Sequence, residues 1–212
     1  MKTVILIAAM IFSVNLAMAD DSKYLETMMK NIDRIYQAKT LGEAQQAANA
    51  FDRIANAEKT KWEPFYYASF GYIIMATMEQ DVAKKDALLD QAKVFVDKAA
   101  TLKANDSEIG TLEGFISTMR VSVDPATRGQ QYGGLAMHAF GKALAVNPDN
   151  PRALALMAQM QFGTARFFNS STAEACATVS KSLEKYDLPK SADPLAPTWG
   201  KGMAQGLRKQ CQ

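Results

Sequence analysis

AMHAFGKALAVNPDNPRALALMAQM, residues 136–160, reads as a helix, a tight turn and a second helix. Ala136, Phe140 and Ala143 are spaced by four and three, so they share one stripe of the first helix. The two alanines let a neighbouring helix approach, and Phe140 fills the space between them. Pro148 cannot continue that helix. Asn150 and Pro151 then suit the N-cap and first position of the next one, which carries Leu154, Met157, Ala158 and Gln161 at helical spacing.

The small–aromatic–small stripe recurs. Ala47, Phe51 and Ile54 form one copy, Ala92, Val96 and Ala99 a second, and Ala136, Phe140 and Ala143 a third, separated by 45 and 44 residues. A fixed period of this kind marks an array of helix hairpins in which each unit buries its apolar face against its neighbours. The pattern resembles the tetratricopeptide repeat. Ala136, Phe140, Ala143 and Pro148 match its second helix in full, while Leu154, Met157, Ala158 and Gln161 match its first helix in character only. Phe65, Ala68, Ser69 and Tyr72 take the equivalent places one repeat earlier. The period is longer than the family's by about ten residues, and the extra length is assigned to residues 78–85 and 121–131. Trp62-Glu63-Pro64-Phe65-Tyr66-Tyr67-Ala68 also resembles the hairpin opening of exported bacterial repeat proteins of undefined role.

The resemblance implies an all-α fold of antiparallel hairpins stacked as a tetratricopeptide-like right-handed superhelix, about four hairpins and a C-terminal capping helix. Periodicity places helices near 23–38, 41–57, 63–79, 84–102, 107–121, 131–146, 151–168, 172–186 and 196–210, and no strand-like run with period two is present. Thr40 with Glu43, and Ser171 with Glu174, each spell a capping box. The domain reading is a leader at 1–19, a repeat domain at 20–186, and a proline-stiffened linker with a capping helix at 187–212.

The leader, MKTVILIAAMIFSVNLAMA, has a basic start, an apolar run and small residues at Ala17 and Ala19, the form of a cleaved secretory signal. The expected location is periplasmic or secreted, in a Gram-negative bacterium, with no stable membrane anchor after cleavage. The net charge of +2, spread as mixed signs, argues against a nucleic-acid partner. Cys176 and Cys211 would both enter an oxidising compartment. A disulfide between them would close a loop of about 36 residues, contribute roughly 4 kcal/mol in the chain-entropy model and hold the last helix on the last hairpin. Two free thiols or a redox pair are the other readings, the second lacking C-x-x-C spacing.

No catalytic constellation emerges, and the expected protein is not an enzyme. His138, the only histidine, cannot build a histidine metal cluster and reads as an ordinary helix-face residue. Ser182 and Lys185 spell S-x-x-K without the partner motifs of penicillin-binding enzymes. Asp81, Asp86 and Asp90 lie among lysines as solvated charges and caps, and Met75, Met78, Met157 and Met160 fit core packing better than a soft-metal site. Gly133-Gly134 lacks the lysine and strand of a phosphate loop. No metal and no cofactor is indicated.

In the family that this chain resembles, the first helices of successive hairpins line a groove that holds a peptide or protein segment. Carried onto this sequence, that geometry assigns Tyr66 and Phe70, then Thr111, Phe115 and Met119, then Arg152, Gln159 and Phe162 to the groove. The alternative is that the longer helices rotate these residues into the core. The leading functional reading is a non-catalytic periplasmic module that binds a protein or peptide partner. The alternative is a carrier or transport accessory protein that takes an apolar small molecule in the groove.

Overall fold

Thr40 closes its capping box as the sequence predicts: its Oγ1 accepts from the Glu43 amide at 3.3 Å, while the Glu43 carboxylate accepts from the Thr40 amide at 3.1 Å. In the computed structural model, which describes residues 21–189 and 191–211, such caps separate a run of helices. These are α1 (21–37), α2 (Leu41–Ala57), α3 (Glu63–Met78), α4 (Val82–Leu102), α5 (Ser107–Val123), α6 (Pro125–Val146), α7 (Pro151–Phe167), α8 (Ala173–Tyr186) and α9 (Lys201–Arg208), followed by a single 3-10 turn at Lys209–Cys211. There is no strand among the described residues. The leader read at 1–19 lies outside them. No described helix is long and apolar enough to cross a membrane.

Helices adjacent in sequence pack as hairpins, and α3, α5, α7 and α9 lie side by side as a row of first helices. This is the stacked, tetratricopeptide-like hairpin array. The repeated stripe is its seam. Ala47, Phe51, Ala92, Val96, Ala99, Ala136, Phe140 and Ala143 are all buried. Glycines on the facing helices complete the fit. Gly71 lies over Ala48, Gly110 over Ala143, and a Cβ at Gly114 would collide with the Phe140 ring. Buried hydroxyls tie the same seams, with Ser69 donating to the Ala92 carbonyl at 2.9 Å and Ser107 to the Ala143 carbonyl at 2.8 Å.

Asn150 does more than cap α7. Its Oδ1 accepts from the amides of Arg152 (3.0 Å) and Ala153 (3.2 Å), and its Nδ2 donates to Ser107 Oγ (2.9 Å) and Thr111 Oγ1 (3.3 Å) of α5. One fully buried side chain therefore starts α7 and fixes it to the preceding hairpin.

Four boundary expectations are corrected. The extra length assigned to residues 121–131 is almost all helix: α5 continues to Val123, and α6 starts at Pro125 behind Asp124, whose carboxylate accepts from the Thr127 amide and hydroxyl at 3.2 and 2.6 Å. An Asp-Pro pair at N-cap and first position was the missed signal. The extra length at 78–85 likewise shrinks to a short break before Val82. The box at Ser171 does not form; Thr172 stands at the N-cap without a side-chain bond, and Ser171 Oγ accepts from Ala173 instead. The final helix begins at Lys201 rather than 196, because Pro197 breaks the preceding backbone and Gly200 takes a left-handed φ of 99°. Cys176 and Cys211 are disulfide-bonded, with Cα atoms 5.7 Å apart, and join α8 to the turn after α9.

Candidate functional site

The site is the face of α1, α3 and α5 that carries Tyr36, Tyr66, Tyr67, Phe70 and Phe115, together with the chain segment that crosses it. Between α8 and Gly200 the described residues form no helix, and Leu195 and Pro197 of this strap are buried. Trp199 stacks on Phe70 (centroids 4.9 Å, 26°) and on Phe115 (5.8 Å, 25°). Each such aromatic pair is worth about 0.5–1.5 kcal/mol beyond its buried area.

Tyrosine hydroxyls bolt the strap down. Tyr67 donates to the Leu195 carbonyl at 2.7 Å, Tyr186 donates to the Trp199 carbonyl at 3.0 Å, and Tyr36 accepts from the Thr198 amide at 3.2 Å. Trp199 Nε1 donates to Tyr66 Oη at 3.0 Å, and Tyr66 Oη donates in turn to Glu108 Oε2 at 3.5 Å. Glu108 holds Arg152 in a two-point pair, Nε to Oε2 at 2.7 Å and a terminal nitrogen to Oε1 at 2.6 Å. The Arg152 guanidinium also lies 6.0 Å from the Trp199 ring centroid.

The electrostatics keep these groups in fixed protonation states. Burial pushes the phenols of Tyr66, Tyr67 and Tyr186 above their usual range, and the Glu108 carboxylate adds to the effect. They remain neutral donors. Burial alone would lower Arg152, but its hydrogen bond and charge pairing with Glu108 raise it further above the ordinary arginine range. The arrangement holds no free nucleophile and no paired acid and base. It offers aromatic faces, neutral hydroxyls and a cation whose charge is already matched.

The residues read as a groove separate into three groups. Tyr66, Phe70, Phe115 and Arg152 do come together, but beneath the strap rather than on an open surface; Tyr66, Phe70 and Phe115 are buried. Met119 and Gln159 continue the same helix faces and stay partly buried, and Gln159 Oε1 is a buried acceptor with no partner among the described residues. Thr111 and Phe162 are corrected to core positions. Thr111 is wholly buried, donating to the Ser107 carbonyl at 2.7 Å, and Phe162 belongs to an apolar cluster with Ala175, Val179, Ala204 and Leu207 because α9 covers that side of α7. Trp199, Leu195, Glu108, Tyr36 and Tyr67 were missed as site residues. The available signal was an isolated tryptophan two residues beyond Pro197 in an otherwise small and polar linker.

No family model matches the chain, and no curated protein does. Among solved structures it is similar to the HusA haemophore from Porphyromonas gingivalis, with 30% identity and a TM-score of 0.80 over 89% of this chain and 92% of that one. It is also similar to a thermophilic TPR protein of Thermus thermophilus, with 15% identity and a TM-score of 0.44 over 86% of this chain and 98% of that one.

Proposed function

The chain belongs to the family of the HusA haemophore of Porphyromonas gingivalis, and from that premise we propose that it is a non-catalytic, exported carrier of a planar apolar ligand of the porphyrin class. The observation that carries the reading is the strap. The face that would seat a peptide is filled by residues Leu195 to Gly200 of the same chain, and the strap cannot peel away from its C-terminal end because α9 is fastened to α8 by Cys176–Cys211. What this face keeps for a ligand is the partly buried indole of Trp199, already backed by Phe70 and Phe115. A rigid aromatic platform suits a flat macrocycle, whose stacking needs no extended backbone pairing.

Titration with metal-free protoporphyrin IX, followed by quenching of tryptophan fluorescence, tests the reading. The expected result is saturation at one equivalent with a dissociation constant of order 1 µM or tighter, corresponding to about 8 kcal/mol. Absence of saturable binding overturns it.

A protein partner is a second reading, favoured by one exposed pair. Phe167 and Phe168 at the end of α7 are 69% and 71% exposed and pack edge-to-face at 5.0 Å. Adjacent exposed phenylalanines suit a contact through which a carrier passes its cargo to another protein. Replacing both with serine should abolish a crosslinked partner in the native envelope; an unchanged crosslink pattern argues against this surface.

A further inference from the structure

His138 opens into a cleft of about 300 Å³ lined by α4, α5 and α6, away from the strap. The volume lies at the lower end of small-ligand sites, about 300–1,000 Å³. Leu135, one helical turn before His138 on α6, is 51% exposed and shares the cleft wall with Ala139, Tyr132 and the buried Ile116 of α5. An imidazole is therefore presented beside exposed and buried apolar surface. The rim is basic. Arg120 is committed to Asp86 (2.9 Å) and Asp90 and lies 5.8 Å from the Tyr132 ring centroid, and Lys93 is paired with Asp97. Lys142, also on the rim, makes no ion pair with any described residue. Burial pushes the Glu113 carboxyl in the cleft above the usual carboxylate range, against the pull of Lys93 and Lys142.

Resting on the porphyrin reading above, we infer that this cleft is a second seat, for a metalloporphyrin whose iron is bound by the His138 imidazole, with an apolar edge against Leu135 and Ile116 and a propionate toward Lys142. The chemistry divides between the two sites. Imidazole is a common axial ligand of haem iron, and His138 is the only one in the chain. The strap face has no histidine, both cysteines are consumed in the disulfide, and its buried phenols are held protonated. That face is suited to stacking on the macrocycle, and the cleft is suited to holding its metal.

The test compares iron protoporphyrin IX with metal-free protoporphyrin IX on the purified full chain, by absorbance, for wild type, His138→Ala, Leu135→Glu and Trp199→Ala. Wild type should take one equivalent of the metal-free ring and two of the iron complex, the second with the Soret position of imidazole-ligated iron. His138→Ala and Leu135→Glu should each lose that equivalent and that band, with melting temperatures unchanged because both positions are exposed. A band that survives His138→Ala overturns the inference. Loss with His138→Ala but retention with Leu135→Glu means adventitious ligation by an exposed histidine and overturns the cleft as a site. If metal-free porphyrin never binds while the His138-dependent band persists, the strap-face seat fails and the cleft stands alone; if neither compound binds, both readings fail.

Discussion

Glu108→Gln is expected to lower the unfolding free energy by about 3 kcal/mol. Arg152 and Glu108 have side chains only 11% and 15% exposed, so their charges are matched mainly by each other. Removing one partner of such a pair costs about 3–5 kcal/mol, and the residual exposure puts the expectation at the lower end. The damage spreads beyond the pair, because Glu108 also accepts from Tyr66, whose hydroxyl receives the Trp199 indole N–H. A chain of this size loses about 2–4 °C of melting temperature per kcal/mol, so the midpoint should fall by roughly 6–12 °C. Adding Arg152→Met should recover part of the loss, since an apolar residue leaves no unmatched charge. A loss below about 1 kcal/mol, or a double variant worse than the single one, would show that solvent already screens the pair.

Trp199→Ala should weaken binding of metal-free protoporphyrin about 30-fold. Losing a ring stack costs about 0.5–1.5 kcal/mol beyond the buried area, and with that area the expected loss is about 2 kcal/mol; each 1.4 kcal/mol is tenfold in affinity. Trp199→Phe keeps an aromatic face and should lose less than tenfold. The alanine variant also gives up the stacking on Phe70 and Phe115 and the bond to Tyr66, so its melting temperature must be measured and the titration run well below it. Affinity unchanged within threefold would remove Trp199 from the seat. A gain in affinity would mean that the strap obstructs the ligand rather than presenting a surface to it.

Both predictions concern groups that local pattern could not assemble. Trp199 and Tyr66 are 133 positions apart, Tyr67 and Leu195 are 128 apart, and Tyr36 and Thr198 are 162 apart. The register carried over from the resembled family assigned Tyr66, Phe70, Phe115 and Arg152 to one side of the array, and the structure brings these four together beneath the strap. That register said nothing about what would lie over them. Phe162 has the same register on α7, yet it is core, because α9 happens to close that end.

The hairpins were legible because their determinants are local. The spacing of Ala136, Phe140 and Ala143, the cap at Thr40 and the Asn150-Pro151 start act within one or two turns, and the helices formed where those signals stand. The disulfide was legible from two cysteines behind a leader that reads as a secretory signal, since no other pairing within the chain is available. The tertiary structure alone decided that the groove is filled from within and that the only histidine opens into a cleft. A residue's burial depends on which distant segment arrives over it. In this chain that segment is a proline-broken strap whose few apolar side chains gain more from packing against aromatic rings than from remaining in water.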